Sequence, residues 1–355
     1  MKIALDATPL ILSSGGLPRY VNELSSALAS EFPEDTYFLL SDQPFTLAQD
    51  APANLLRGRG PHAAADLQWW LWGIRQAIKD AGAQIFHGTN FEVPYLGRTP
   101  AILTIHDLSP WRDPAWHDAA DRVRRRTPWL VRFRRARMIL TVSEAVRQEV
   151  VGHFGVNPQQ VRAVPLAASE LFRPPPAEAP PACKPFFLFV GTLEPRKNVA
   201  ALVEAWLETR QQTGADLVIA GRNRSDFAPI ASREGLNFLG EVADAELPRL
   251  YSEALAFVYP THYEGFGLPV LEAMQCGCPV ITSRDPAVME VSGGAAIHAG
   301  SVMELADAMR GIAENPQLRG EKREAGLRRA AAFSWKCTAR RTHEIYEEIA
   351  GAVRA

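Results

Sequence analysis

Short apolar runs alternate with longer segments of helical period along most of the chain. The pattern predicts a strand at 1–7 and a helix opened by Gly15-Gly16, with Pro18 in its first turn and Leu17, Val21, Leu24 and Leu28 along one face. Further strands are expected at 85–87, 101–105, 138–142 and 161–164. Buried strands separated by helices are the pattern of a parallel sheet covered on both faces. The pattern stops at Phe172. Residues 173–185 read RPPPAEAPPACKP and hold six prolines, too many for the interior of a strand or helix. A second series then follows at 186–190, 217–220, 237–239, 256–259, 279–282 and 296–298.

The expected architecture is therefore α/β, with two Rossmann-like domains facing across a cleft. The first covers residues 1–172, a proline-rich linker 173–185, the second domain 186–333, and a terminal helix 334–355. That helix is expected to pack back on the first domain through Trp335, Ile345, Tyr346 and Ile349. Ligands of such sheets sit at the carboxyl ends of the strands.

Composition narrows the class. With 355 residues, 47% hydrophobic and 22% charged, the chain is ordinary for a folded protein and unlike a disordered or disulfide-stapled one. A net charge of −2 argues against electrostatically driven nucleic-acid binding. The cysteines Cys183, Cys276, Cys278 and Cys337 are too scattered for a disulfide framework and fit a reducing compartment. No stretch approaches the roughly 18 apolar residues of a spanning helix, and Asp6 interrupts the first apolar run, as a secretory leader would not. The expected location is cytoplasmic, with membrane contact limited to the periphery of the inner face.

Three stretches carry chemistry. In PTHYEGFGLPVLEAMQCGCP, residues 260–279, a strand runs into a loop with Glu264, Gly265 and Gly267, and Pro269 starts a helix closed by Gly277. Such a loop and helix start present backbone N–H groups to an anion. Carboxylates beside it, Glu264 and Glu272, repel phosphate but accept hydrogen bonds from hydroxyls, which sugars supply densely. The bland alternative is a capping glutamate and a solvated helix acid. In GTLEPRKN, residues 191–198, Arg196 and Lys197 stand where a strand crosses into a helix and can grip a diphosphate and stabilise its departure. The third is His106-Asp107 at a strand end, matched by Gly15-Gly16 after the first strand. A lone histidine there is either a ligand of a bound hydroxyl or a satisfied structural residue.

In this order the motifs resemble the retaining glycosyltransferases of family four, which have the GT-B fold. The resemblance rests on GGLPRYV (15–21), His106-Asp107, TVSE (141–144), GTLEPRKN, EGFGLPVLE (264–272) and CGCPVI (276–281), and spans nearly the whole chain. It implies that Glu264 and the amides of Gly265, Phe266, Gly267 and Leu268 hold the transferred sugar and Glu272 the ribose. Arg196 and Lys197, helped by Gly16, would take the diphosphate, and His106 would sit beside the sugar. The loop near 240–247 would meet the base; Arg222 and Ser143 are weaker matches. Catalytic roles would fall to His106, Glu264, Arg196 and Lys197. His87, Asn90 and Trp111 are candidates for the acceptor side.

The resemblance also implies a reaction without a metal or other cofactor, and the chain has no Asp-x-Asp pair to bind one. Departure and attack on one face of the sugar would retain its configuration. The first donor expectation is GDP-mannose, as in bacterial mannosyltransferases of polysaccharide assembly, with UDP-sugars as the alternative and a glycan or lipid-linked acceptor. A nicotinamide oxidoreductase needs a G-x-G-x-x-G turn that Gly15-Gly16 lacks. A catalytically silent sugar-nucleotide-binding subunit is the reading from another class.

Two features stand apart. Cys276-Gly277-Cys278 suits metal ligation by spacing, but no second pair accompanies it, so small buried residues are expected. Residues 122–137 hold eight arginines among Trp129, Leu130, Val131 and Phe133, and Trp69, Trp70 and Trp72 share another expected helix. Each reads either as an element meeting anionic lipid or as a charged face and core tryptophans.

Overall fold

The computed structural model describes residues 1–12, 15–58, 66–113, 116, 120–174, 184–224, 227 and 231–354. The chain divides into two units, Met1–Leu166 with Ser334–Ala355, and Ala167–Phe333. The division falls before the proline-rich segment rather than within it. The prolines of that segment from 175 to 181 lie outside the described residues.

The first unit is a seven-stranded parallel sheet in the order β3-β2-β1-β4-β5-β6-β7. Its strands are β1 (Lys2–Asp6), β2 (Thr36–Leu40), β3 (Leu55–Arg57), β4 (Ile85–Gly88), β5 (Ala101–Ile105), β6 (Met138–Thr141) and β7 (Val161–Ala163). β4, β5 and β6 are buried along their whole length, as strands covered on both faces must be. The helix Gly16–Glu31 starts at the expected glycine and buries Val21, Leu24 and Leu28, while Leu17 is only half-buried.

Helix Trp335–Arg354 returns to this unit and packs on Gly16–Glu31. Its ties are specific. Lys336 and Arg340 bridge to Glu31 at 2.9 and 3.0 Å, His343 reaches Asp35 at 2.7 Å, and the His343 ring stacks on Phe32. Trp335, Ile345, Tyr346 and Ile349 are all buried.

The second unit is a six-stranded parallel sheet in the order β10-β9-β8-β11-β12-β13. Its strands are β8 (Phe186–Val190), β9 (Asp216–Ala220), β10 (Leu236–Gly240), β11 (Ala256–Tyr259), β12 (Val280–Thr282) and β13 (Ile297–His298). Both sheets are doubly wound, and each reverses its strand order once, between β1 and β4 and between β8 and β11. The crevice beyond the carboxyl ends at such a reversal is where open α/β sheets bind ligands. In the second unit the two loops leaving that point are the two motif-bearing stretches.

Cys276 and Cys278 are buried in the second core, and burial, then the nearby Glu272 charge, pushes the Cys276 thiol up to about 12. Trp69 and Trp70 are also core residues, so of the three tryptophans read together only Trp72 faces outward.

Candidate functional site

The loop after β8 and the loop after β11 are stitched together by backbone. The His262 N–H donates to the Arg196 carbonyl at 2.8 Å, the Thr261 hydroxyl donates to the same carbonyl, and the Asn198 amide donates to Pro260 O at 3.2 Å. Asn198 has φ 54°, a left-handed value that asparagine tolerates, and it ends the single turn Pro195–Lys197 that turns both cations toward β11. Gly221, just after β9, presses on the other side of the β8 loop: a Cβ there would lie 2.0 Å from the Gly191 carbonyl oxygen.

Glu264 sits at the centre. Its Oε1 accepts hydrogen bonds from Lys197 Nζ at 2.6 Å, the Thr261 hydroxyl at 2.8 Å and the Tyr259 hydroxyl at 2.9 Å. Its Oε2 accepts from Arg196 Nη1 at 3.1 Å. Arg196 also donates to the Tyr263 carbonyl and, through Nη2, to Glu194 at 2.7 Å; Arg224 approaches Glu194 from the other side. Lys197 hydrogen-bonds the Tyr259 hydroxyl and lies over its ring. Glu264 and Lys197 are only 7% and 8% exposed, so these are buried charges and not solvated ones.

Burial opposes ionisation of Glu264, but Arg196, Lys197 and the hydrogen bonds from Lys197 and Thr261 outweigh it and hold the carboxyl at about 2. Glu264 is therefore ionised throughout the neutral range, while burial, with the Arg196 charge adding to it, lowers the pKa of Lys197. Sequence spacing divided cations for phosphate from acids for hydroxyls; the fold instead lets one acid hold both cations.

Around it lie residues that the motif reading passed over. Tyr259, at the end of β11, is fully buried, and burial followed by the Glu264 charge keeps its phenol protonated far above neutral pH. Asp285 caps helix Pro286–Ser292 by accepting from Ala287 and Val288 N–H, and its second oxygen accepts from the Glu264 N–H. Burial, with Glu264 adding to it, raises its pKa to about 6. A tyrosine closing a strand two residues before a loop threonine carries no signal of its own; only the packing of β8 beside β11 exposes its place.

Gly267 has φ +93°, and a Cβ there would meet Val288 at 3.3 Å, so the start of helix Leu268–Gln275 requires glycine. Gly265 and Phe266 are buried beside it, Phe266 edge-on to Phe333, and Leu268 is half-buried. Glu272 lies inside this helix and is buried, with the Tyr251 hydroxyl donating to Oε2 at 3.3 Å. The loop after β10 is exposed from Glu241 to Glu246 except for half-buried Val242, and Arg222 is exposed.

In the first unit, Gly16 is exposed at its helix start. His106 Nε2 donates to the Thr89 carbonyl at 2.7 Å, a carbonyl being unable to donate, and Tyr20 meets the ring edge-on. Burial lowers its pKa, the Thr89 contact and Asp107 opposing it, and the half-buried ring keeps Nδ1 as its second polar atom.

His87 corrects the expectation for the acceptor side. It is fully buried, with Nδ1 on the Tyr346 hydroxyl and Nε2 on the Thr104 hydroxyl, both at 2.7 Å, and Thr104 continues to Tyr20. Burial, with the His106 charge adding to it, lowers its pKa to about 3, so it is a neutral link between β4, β5 and the returning helix. Asn90 and Trp111 differ: Asn90 Oδ1 and Trp111 Nε1 are buried polar atoms that find no hydrogen-bond partner among the described residues. Ser143 caps helix Glu144–Phe154 through Val146 N–H, a structural use. Among the described residues no group of three or more His, Cys, Asp or Glu is placed to hold a metal ion.

Comparison with known proteins bears on the family and the fold. Residues 14–168 match the family model Glycosyltransferase Family 4, and residues 175–329 match Glycosyl transferases group 1. O-antigen chain mannosyltransferase B of Escherichia coli is 35% identical over 294 residues, 76% of each chain. Among solved structures, sucrose-phosphate synthase from Thermosynechococcus elongatus superposes with a TM-score of 0.78 over 99% of both chains at 20% identity. Anabaena HepE, solved with UDP-glucose, gives 0.75 at 17% identity, over 98% of this chain and 100% of its own. At those identities the likeness speaks for the fold. The chain belongs to the family-four glycosyltransferases of GT-B fold and is a hexosyltransferase.

Proposed function

We propose that the chain moves mannose from GDP-mannose to a glycan or lipid-linked saccharide, with retention of configuration and without a metal, working at a membrane surface from the cytoplasmic side. The carrying observation is the buried ion cluster at the β8–β11 reversal, where Arg196 and Lys197 close on Glu264 and Arg196 and Arg224 on Glu194. An arriving diphosphate shares the two cations that Glu264 now holds and frees carboxylate capacity for the hydroxyls of the transferred sugar. Such a preformed, water-poor cationic site stabilises charge on a departing diphosphate at little cost of reorganisation, which is the role a divalent ion fills elsewhere. The amides of Gly265–Leu268 face the same sugar, Glu272 takes the ribose, and the loop 240–247 meets the base. His106 addresses a sugar hydroxyl, and Gly16 assists at the phosphates. Asn90 and Trp111, whose buried polar atoms lack partners among the described residues, receive acceptor hydroxyls.

Mannose is favoured by the 35% identity to an O-antigen mannosyltransferase; the HepE complex favours a uridine donor as the second reading. Thermal unfolding with single donors separates the two. GDP-mannose at one hundred times its dissociation constant stabilises by about 2.7 kcal/mol, and an indifferent nucleotide does not. Stabilisation by UDP-sugars alone transfers the assignment to them, and none by any donor refutes the donor site. Transfer that survives EDTA is the expected result, and loss restored by Mg²⁺ or Mn²⁺ refutes metal independence.

A further inference from the structure

The two segments that the sequence left between membrane contact and core packing meet on one face of the first unit. Part of the arginine series turns inward, where Arg122 and Arg126 reach the buried Glu92 at 3.5 and 3.7 Å. Four others, Arg125, Arg132, Arg134 and Arg137, are exposed. With them stand Trp129 at 44% and Phe133 at 58% exposure, their rings 5.0 Å apart. Trp129 meets Tyr95 edge-on, and the Tyr95 N–H donates to the Trp70 carbonyl, so this helix end abuts the tryptophan segment. From that segment Trp72 projects at 61% exposure beneath the Arg75 guanidinium, and Leu96 adds a further exposed apolar side chain. The Arg135 guanidinium closes the seam by donating to the Gly97 carbonyl at 3.2 Å.

Between these segments runs an open hollow of about 800 Å³ bordered by Trp72, Leu96, Arg75, Lys79, Arg98 and Arg135. Its lining holds four cations and no acid. The nearest acid along the tryptophan helix, Asp80, is hydrogen-bonded by Gln76. Single exposed aromatics are ordinary on a folded surface, yet here three stand out together, ringed by long cationic side chains. Aromatic rings favour the headgroup level of a bilayer, and lysine and arginine keep their charge at lipid phosphates while their stems lie on apolar surface. Each such cation near an anionic leaflet contributes about 1 kcal/mol, an attraction that falls off within a Debye length.

We propose that this face docks on an anionic phospholipid surface, with Trp72, Trp129 and Phe133 entering the interface and the hollow receiving a lipid phosphate against Arg75, Lys79, Arg98 and Arg135. It deepens the reading of the chain as a transferase working at a membrane surface and rests on that reading for its purpose, but its test reads binding rather than transfer. The whole chain is sedimented with vesicles of phosphatidylcholine and phosphatidylglycerol at 3:1, and with phosphatidylcholine alone. Partition into the mixed vesicles is expected, at least tenfold stronger than into the neutral ones and weakened by 0.5 M salt. Arg75→Glu with Arg98→Glu, and separately Trp72→Ala with Phe133→Ala, each lower partition at least tenfold. These side chains are exposed, so unfolding curves should match those of the wild type. Arg328→Glu, an exposed cation of the other unit, leaves partition unchanged. Equal partition by all variants, or equal binding to neutral vesicles, overturns the proposal. So does retention on an acidic polypeptide matrix without vesicle binding, which assigns the face to a protein partner. Donor-induced thermal shifts in the docking variants stay at the wild-type value, which separates a failure of docking from a failure of the transferase reading.

Discussion

Glu264 makes four charged or hydroxyl contacts and has almost no solvent, so its removal does two things at once. Glu264→Ala leaves Arg196 and Lys197 buried without their common counter-ion, and breaking a buried pair in this way costs about 3–5 kcal/mol. Glu264→Ala therefore tests folding as well as transfer. Glu264→Gln keeps the shape and is the better probe. It should cut transfer by two or more orders of magnitude, the scale of losing a principal electrostatic contact, and Arg196→Ala should do the same. Near-normal turnover in either variant, measured with labelled donor, removes that residue from the chemistry. Tyr259→Phe tests the positioning role of a phenol that hydrogen-bonds both Glu264 and Lys197. The ring keeps its packing on Phe189 and Phe257, so the stability loss should be about 1 kcal/mol while kcat falls about tenfold. An unchanged kcat with the same stability loss makes the phenol a purely structural group.

At the scale of elements, the glycine that opens helix Leu268–Gln275 is the sharpest case. Gly267→Ala forces a Cβ into a left-handed conformation with Val288 at 3.3 Å, and should cost about 1–3 kcal/mol in unfolding experiments. Donor affinity should fall with it, because the amides of that turn move. The same glycine was legible in the sequence, since a Gly shortly before Pro at a strand-to-helix turn has a mechanical reason. Every strand but β2 and β3 is likewise read from an apolar run to within a residue at each end; central strands covered on both faces leave such runs, while β10 is exposed beyond Leu236. β2 and β3 escaped: TYFLL directly follows a charged turn, and β3 has three residues with only Leu55 buried. The ion cluster was half legible. Its members could be named from their motifs, but the Lys197–Glu264 contact joins positions 67 residues apart and exists only because β8 and β11 are neighbours. His87 misled for a related reason. Its strand end suggested a ligand, while its partner Tyr346 arrives from the far end of the chain, 259 residues away. Tyr346→Phe leaves that ring nitrogen unpaired and should lower stability by about 1–3 kcal/mol without changing donor affinity.

For the molecule as a whole, two buried acids oppose the one that anchors the site. Asp6, at the end of β1, is raised to about 6 by burial, against the hydrogen bonds from Thr8 and Thr89, and Asp285 is raised to about the same value. Both exceed the unfolded value of about 3.9, so their contribution is fully present at pH below about 4 and is lost as pH rises through 6. Glu264 has the opposite sign: its contribution is present above the unfolded value of about 4.3 and is lost only as pH falls toward 2. Asp6→Asn keeps the acceptor for Thr8 and removes one of these titrations. The wild type should therefore lose stability relative to Asp6→Asn between about pH 4.5 and pH 7.5, by on the order of 1–3 kcal/mol, in thermal unfolding at the two values. A difference independent of pH contradicts the assignment.

The claim on which the functional account depends is that the cations after β8 and the acids after β11 hold a sugar diphosphate together. A crystal structure of the chain with GDP-mannose tests it most directly. The account predicts the diphosphate within hydrogen-bond reach of the Arg196 and Lys197 side chains, a sugar hydroxyl on Glu264 and a ribose hydroxyl on Glu272. A nucleotide bound elsewhere, with Arg196 and Lys197 still closed on Glu264 and Glu272 still on Tyr251, would contradict it.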